Sequence, residues 1–213
     1  MTETDTGCSS ECRATRAHDA RKGRRLEYFT LAWNLVEAGV AVVAGAAAGS
    51  IALIGFGADS LIECLSGGIL LWRLQLHEGD QHREEIAVKL VGVSFILLAA
   101  YVAFEAAKTL LFREEPHVSV VGIVLSCASL IVMPLLARAK RRVASRLESR
   151  SLKADSRQTD LCAYLSAILL GGLVLNALLG WWWADPIAGL VMVPIIAHEG
   201  IESLRGDTCS DCH

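Results

Sequence analysis

The chain has 213 residues, of which 53% are hydrophobic and 20% charged, with a mean hydropathy of +0.43 and a net charge of −3. A soluble domain usually carries about 45–50% apolar residues; here the excess is gathered into long blocks, with no charge at all in 161–184 and none in 116–137 apart from His117. The sequence shows no P-loop, nucleophile elbow or nucleic-acid motif, and seven cysteines, an odd number, do not make a disulfide framework.

Residues 1–25 are polar, with Cys8, Cys12, His18 and a group of arginines, and lack the apolar centre of a signal peptide. Six apolar stretches follow, each long enough for the ~20 residues that cross a bilayer core about 30 Å thick. They are predicted as helices over 28–48, 50–72, 86–112, 118–137, 153–179 and 183–204. The links at 49–50 and 180–182 are short enough to make helices 1–2 and 5–6 tight antiparallel hairpins. Trp181, Trp182 and Trp183 lie at the end of the second hairpin and fit interfacial anchoring. Small residues such as Gly39, Gly45, Gly67, Gly68, Gly171 and Gly172 are expected to permit close helix packing.

The basic residues set the orientation. Six spans require strict alternation of sides, and 17 of the 20 Lys and Arg then fall on one side, many of them in the link between helices 4 and 5. Positive charge marks the cytoplasmic face. The predicted fold class is therefore an all-α integral membrane protein with six transmembrane helices and both N and C termini cytoplasmic. Its parts are a Cys/Arg-containing tail (1–25), a transmembrane domain (26–205) and a short Cys/His tail (206–213).

Ionisable groups within spans cost about 2.5–3.5 kcal/mol each on insertion scales and mark function by default. In helix 2, Asp59 and Glu63 are four apart and share one helical face. Side by side they repel, and a divalent cation between them resolves both the repulsion and the desolvation. The competing account is a pair of neutral, hydrogen-bonded acids, or one acid paired with Arg73 or Lys89. On helix 5, Gln158 and Cys162 repeat the four-residue spacing, with Asp155 a turn earlier on a similar face; two such pairs make the four-ligand cage that zinc-like ions accept. Asp160 points roughly the other way, toward the cytoplasmic mouth or a basic partner. Glu105 sits three residues from Lys108, the spacing of an internal ion pair. Glu37, three from Asn34, is read as lining the ion path or as a polar contact between helices, outside the ligand set.

The run from Gly49 to Glu63 (GSIALIGFGADSLIE) resembles helices 1–2 of the cation diffusion facilitator, or cation efflux, family. The segment from Lys153-Ala154-Asp155 onward resembles the start of that family's fifth helix, and Ala184-Asp185-Pro186-Ile187-Ala188-Gly189-Leu190 the start of its sixth. The resemblance covers about 26–205. It implies that Asp59 and Glu63 bind a transported metal, exported from the cytoplasm in exchange for protons. Where the family usually offers His and Asp on helix 5, this chain has Gln158 and Cys162. The family's C-terminal cytoplasmic domain has no counterpart after helix 6, so a short form is expected.

With Asp59, Glu63, Gln158 and Cys162 as the metal ligands, the chemistry has a definite shape. The carboxylates and thiol bind best deprotonated, so loading releases protons and reprotonation ejects the ion. A thiolate favours Zn2+ or Cd2+ over magnesium or calcium, while the neutral Gln158 oxygen admits Co2+ or Fe2+. The expected partners are metal ions, protons, the lipid bilayer and a second copy in a homodimer, with no nucleic acid; the expected location is a bacterial inner (plasma) membrane. Cys209 and Cys212 beside His213, together with Cys8 and Cys12, offer either a cytoplasmic capture site or free thiols on flexible tails. Two other functions compete: a non-transporting metal-binding scaffold, and a membrane thiol oxidoreductase using Cys209 and Cys212.

Overall fold

The computed structural model describes residues 5–75, 81–147 and 150–205. Six α-helices account for nearly all of them: α1 (Asp5–Ala48), α2 (Ile51–Gln75), α3 (Gln81–Phe112), α4 (Val120–Leu147), α5 (Arg150–Leu179) and α6 (Ala184–Arg205), with no strand among the described residues. Each contains a window long and apolar enough to cross a membrane. Lipid offers backbone groups no hydrogen-bond partners, so apolar stretches of this length satisfy them internally as helices. Large apolar side chains such as Leu35, Val43, Leu97, Phe104, Leu111 and Leu178 point outward, as a lipid-facing surface requires. The chain is an all-α, multi-pass integral membrane protein.

The spans lie where the hydropathy places them, but several helices run further. α1 continues back to Asp5, through the stretch expected to be a tail. α4 extends to Leu147 and α5 begins at Arg150, so most of the basic link is helical. Hydropathy stops at the membrane surface, whereas Ala, Arg, Lys and Leu, which make up most of the α4 extension from Arg138 to Leu147, are strong helix formers. The extensions also find packing: Val143, Ala144 and Leu152 bury one another against Leu26 and Leu147. Cys209, Cys212 and His213 lie outside the described residues, as do the side chains of Cys8, Cys12 and Arg73.

Both predicted hairpins turn on glycines in the left-handed region, Gly49 (φ 68°) and Gly180 (φ 65°), where a side chain would be strained. Near the first turn, Ser50 caps α2: its Oγ accepts from Leu53 N–H (3.2 Å) and donates to Asp185 Oδ1 (2.5 Å). Asp185 thereby ties the start of α6 to the start of α2. At the second turn Trp181 and Trp183, both exposed, stack on each other with centroids 4.9 Å apart.

α2 is the most enclosed helix, packing against α1, α3, α5 and α6. Its Ala52, Leu53 and Phe56 are fully buried and belong to the central cluster with Val102, Met133, Leu169 and Met192. Close approach depends on absent side chains. A Cβ on Gly57 would come within 2.9 Å of Ala41 Cβ, and one on Gly172 within 2.6 Å of Ala188 Cβ. Gly45 and Gly67 are equally tight, whereas Gly39, Gly68 and Gly171 have nothing within 4 Å, so the packing role expected of them does not hold.

Toward the end of the bundle where α4 finishes, α1, α4 and α5 are joined by a buried ionic cluster. Lys140 is completely enclosed, and its Nζ lies 2.9 Å from Glu27 Oε2 and 2.6 Å from Asp155 Oδ2. Interior charges persist in a membrane when paired in this way.

Candidate metal site

Helical geometry delivers the two acids of α2 to one face, and the packing of α5 across α2 delivers the third donor. Asp59 and Glu63 are 4% and 8% exposed and Cys162 is fully buried. One ligand atom from each lies within 4.8 Å of the others, the one such grouping of His, Cys, Asp or Glu among the described residues. Gln158, one turn before Cys162, borders the same small cavity as Asp59 and Glu63. The four residues expected from spacing are therefore brought to one place. Tetrahedral zinc holds its oxygen and sulfur donors about 3.3–3.8 Å from one another, inside the 4.8 Å that bounds these three atoms.

The surrounding polar groups come from α1 and α4. Asn34 Nδ2 donates to Glu63 Oε2 at 2.7 Å, fixing one oxygen of that carboxylate. Glu37 is fully buried behind the site, where Ser60 Oγ donates to its Oε2 at 3.0 Å and Ser129 Oγ to its Oε1. The Cys162 thiol lies 3.9 Å from Glu37 Oε2 and can donate to it. Glu37 is thus a hydrogen-bonded support beside the thiol. Neither Asp59 nor Glu63 pairs with Lys89, whose side chain is exposed.

Three other acids take different places. Asp155, expected on a face similar to that of Gln158, is drawn to Lys140 and does not border the cavity. Asp160 pairs with Arg141, the basic partner expected for it, and Glu105 pairs with Lys108 at 3.1 Å. Glu199 of α6, which no spacing in the sequence singles out, also borders the cavity with Asp59 and Glu63. Its signal was faint: an acid near the end of a span reads as an interfacial residue, and only the packing of α6 beside α2 turns it inward.

Two carboxylates and a thiol, buried together, are a mixed oxygen–sulfur donor set, and Gln158, whose Oε1 accepts from Ser66 Oγ at 3.5 Å, borders their cavity. Ionised, they carry charge that a divalent cation offsets, and of the three protein donor types present the thiolate is the one that selects zinc-like over magnesium-like ions.

The family model described as the cation efflux transmembrane domain matches residues 28–207. Transmembrane protein 163 of Xenopus laevis is 28% identical over 198 residues, covering 89% of this chain and 70% of that protein. An uncharacterized transporter of Synechocystis is 24% identical over 195 residues, 87% of this chain and 63% of its own length. A cadmium, cobalt and zinc/H(+)-K(+) antiporter of Bacillus velezensis is 24% identical over 173 residues, 76% of this chain and 54% of its own length.

Proposed function

The chain belongs to the cation efflux family, a family of metal-cation transporters rather than enzymes, and on that footing we propose that it exports Zn2+ or Cd2+ class ions from the cytoplasm in exchange for protons. One observation carries the proposal: the convergence of Asp59, Glu63 and Cys162 within 4.8 Å inside the membrane-spanning bundle. Gln158 completes the proposed ligand set as a neutral oxygen donor. The name of the Bacillus relative, which couples cadmium, cobalt and zinc to H(+) and K(+), supports the choice of ion and counter-ion.

The coupling follows from the donors. A cation displaces protons from Asp59, Glu63 and Cys162 on loading, and protons arriving from the other side displace the cation. Positive-inside topology places both termini, the Lys140 cluster and the 206–213 tail on the cytoplasmic side, in what we take to be a bacterial inner membrane. The protein works as a homodimer. Family membership as a transporter leaves no basis for the thiol oxidoreductase, whose Cys209 and Cys212 lie outside the described residues.

Metal uptake and internal pH measured together in sealed proteoliposomes test the proposal. Wild type moves zinc and cadmium with opposed proton flux, and Asp59→Ala moves neither. Proton-coupled uptake persisting in Asp59→Ala removes the site assignment, and uptake absent from wild type across a panel of divalent ions leaves a metal-binding scaffold.

A further inference from the structure

Glu199 has no place in the four-ligand set, yet it shares its cavity. α6 brings it beside Asp59, Glu63 and Gln158, between apolar walls that include Phe95 and Ile196. Glu199 is half-buried, and among the described residues it has neither a hydrogen bond nor an ion pair. Its neighbours on α6 differ. His198 and Glu202, 72% and 60% exposed, lie 3.9 Å apart on the outer side of the helix.

Asp59 is the second observation. It is 4% exposed, borders the same cavity and likewise accepts no hydrogen bond from any described residue. Burying a carboxylate without a donor or counter-charge is expensive, and two such groups on one cavity wall are an arrangement that a cation completes. Glu199 stands outside the three residues whose ligand atoms lie within 4.8 Å of one another. Glu199 is in the last two turns of α6, toward the end of the bundle where α2 finishes and α5 begins.

We infer that Glu199, with Asp59 and the side-chain oxygen of Gln158, forms a staging position that holds a divalent cation before it passes to Asp59, Glu63 and Cys162. The inference rests on the reading of that inner cluster as the transport site. The two positions differ in chemistry. The staging position has oxygen donors alone and discriminates weakly among divalent ions, whereas the inner cluster adds the thiol that prefers softer ones. Asp59 and Gln158 border both positions, and the ion passes along them from one to the other.

Initial uptake rates of Zn2+, Cd2+ and Mn2+ by the full-length protein in sealed proteoliposomes test this. Glu199→Gln raises the half-saturating concentration of all three ions by about tenfold, equivalent to ~1.4 kcal/mol, without changing their order. Glu199→Asp, which keeps the charge, recovers most of the affinity. Glu202→Gln makes the same charge change one turn away and leaves the half-saturating concentrations as in wild type. Equal behaviour of Glu199→Gln and Glu202→Gln overturns the inference, as does a reordering of the ions by Glu199→Gln, which would put Glu199 in the selecting site. Transport surviving in Glu63→Ala is a separate result and counts against the inner site, to which Glu63 alone of the α2 acids is confined.

Discussion

Replacing Lys140 with Met keeps an unbranched apolar stem and removes the charge that α1, α4 and α5 share. The ammonium is completely buried, 2.9 Å from Glu27 and 2.6 Å from Asp155, and those acids are themselves only 3% and 13% exposed. Without it, two buried carboxylates face each other with their shared cation gone. Removing one partner of a buried ion pair destabilises by about 3–5 kcal/mol, because the remaining charge keeps its desolvation penalty. Removing all the charges together is often close to neutral by the same reasoning. The triple variant Lys140→Met/Glu27→Gln/Asp155→Asn should therefore return to within about 1 kcal/mol of wild type, its amides able to bond one another. Thermal unfolding of the purified protein in detergent should show Lys140→Met melting lower by on the order of 10 °C, with most of that recovered in the triple variant. A single variant within experimental scatter of wild type, or a triple variant as unstable as the single, refutes the argument.

Other substitutions probe separate links. Gly172→Ala places a methyl 2.6 Å from Ala188 Cβ and should destabilise by about 1–3 kcal/mol. Gly171→Ala has open space and should be neutral or stabilising by up to about 1 kcal/mol, and the difference between the two melting temperatures checks the α5–α6 packing. Asn34→Ala removes the donor at 2.7 Å from Glu63 and should raise the half-saturating zinc concentration by about 10–100-fold; competition uptake assays read this directly. Cys162→Asp replaces sulfur by oxygen and should lower uptake of cadmium relative to zinc, whereas an unchanged ratio means that the thiol only packs.

What could be read from the sequence was whatever one helix encodes by itself. Asp59 with Glu63 and Gln158 with Cys162 share faces because four residues make just over one turn, and hydropathy places the spans to within a few residues. What depended on contacts between helices stayed hidden. Asp155 has nearly the helical angle of a ligand, but Lys140 from α4 and Glu27 from α1 draw it into an ionic cluster. Asn34 bonds Glu63, and Ser60 and Ser129 bond Glu37, through the packing of α1 against α2 and α4. Glu199 turned inward for the same reason. The helical extensions beyond the membrane were missed because hydropathy and helix propensity diverge at its surface, as the run from Arg138 to Leu147 illustrates.

The proposed site holds one ion between α2 and α5 through carboxylates and the Cys162 thiol. X-ray absorption at the zinc edge of the purified, zinc-loaded protein, with its four tail cysteines replaced by serine, tests it most directly. The spectrum should show a single sulfur at about 2.3 Å alongside oxygens at about 2.0–2.2 Å, with the sulfur lost in Cys162→Ser and zinc binding lost in Asp59→Ala. Zinc retained by Asp59→Ala with an unchanged spectrum would contradict it.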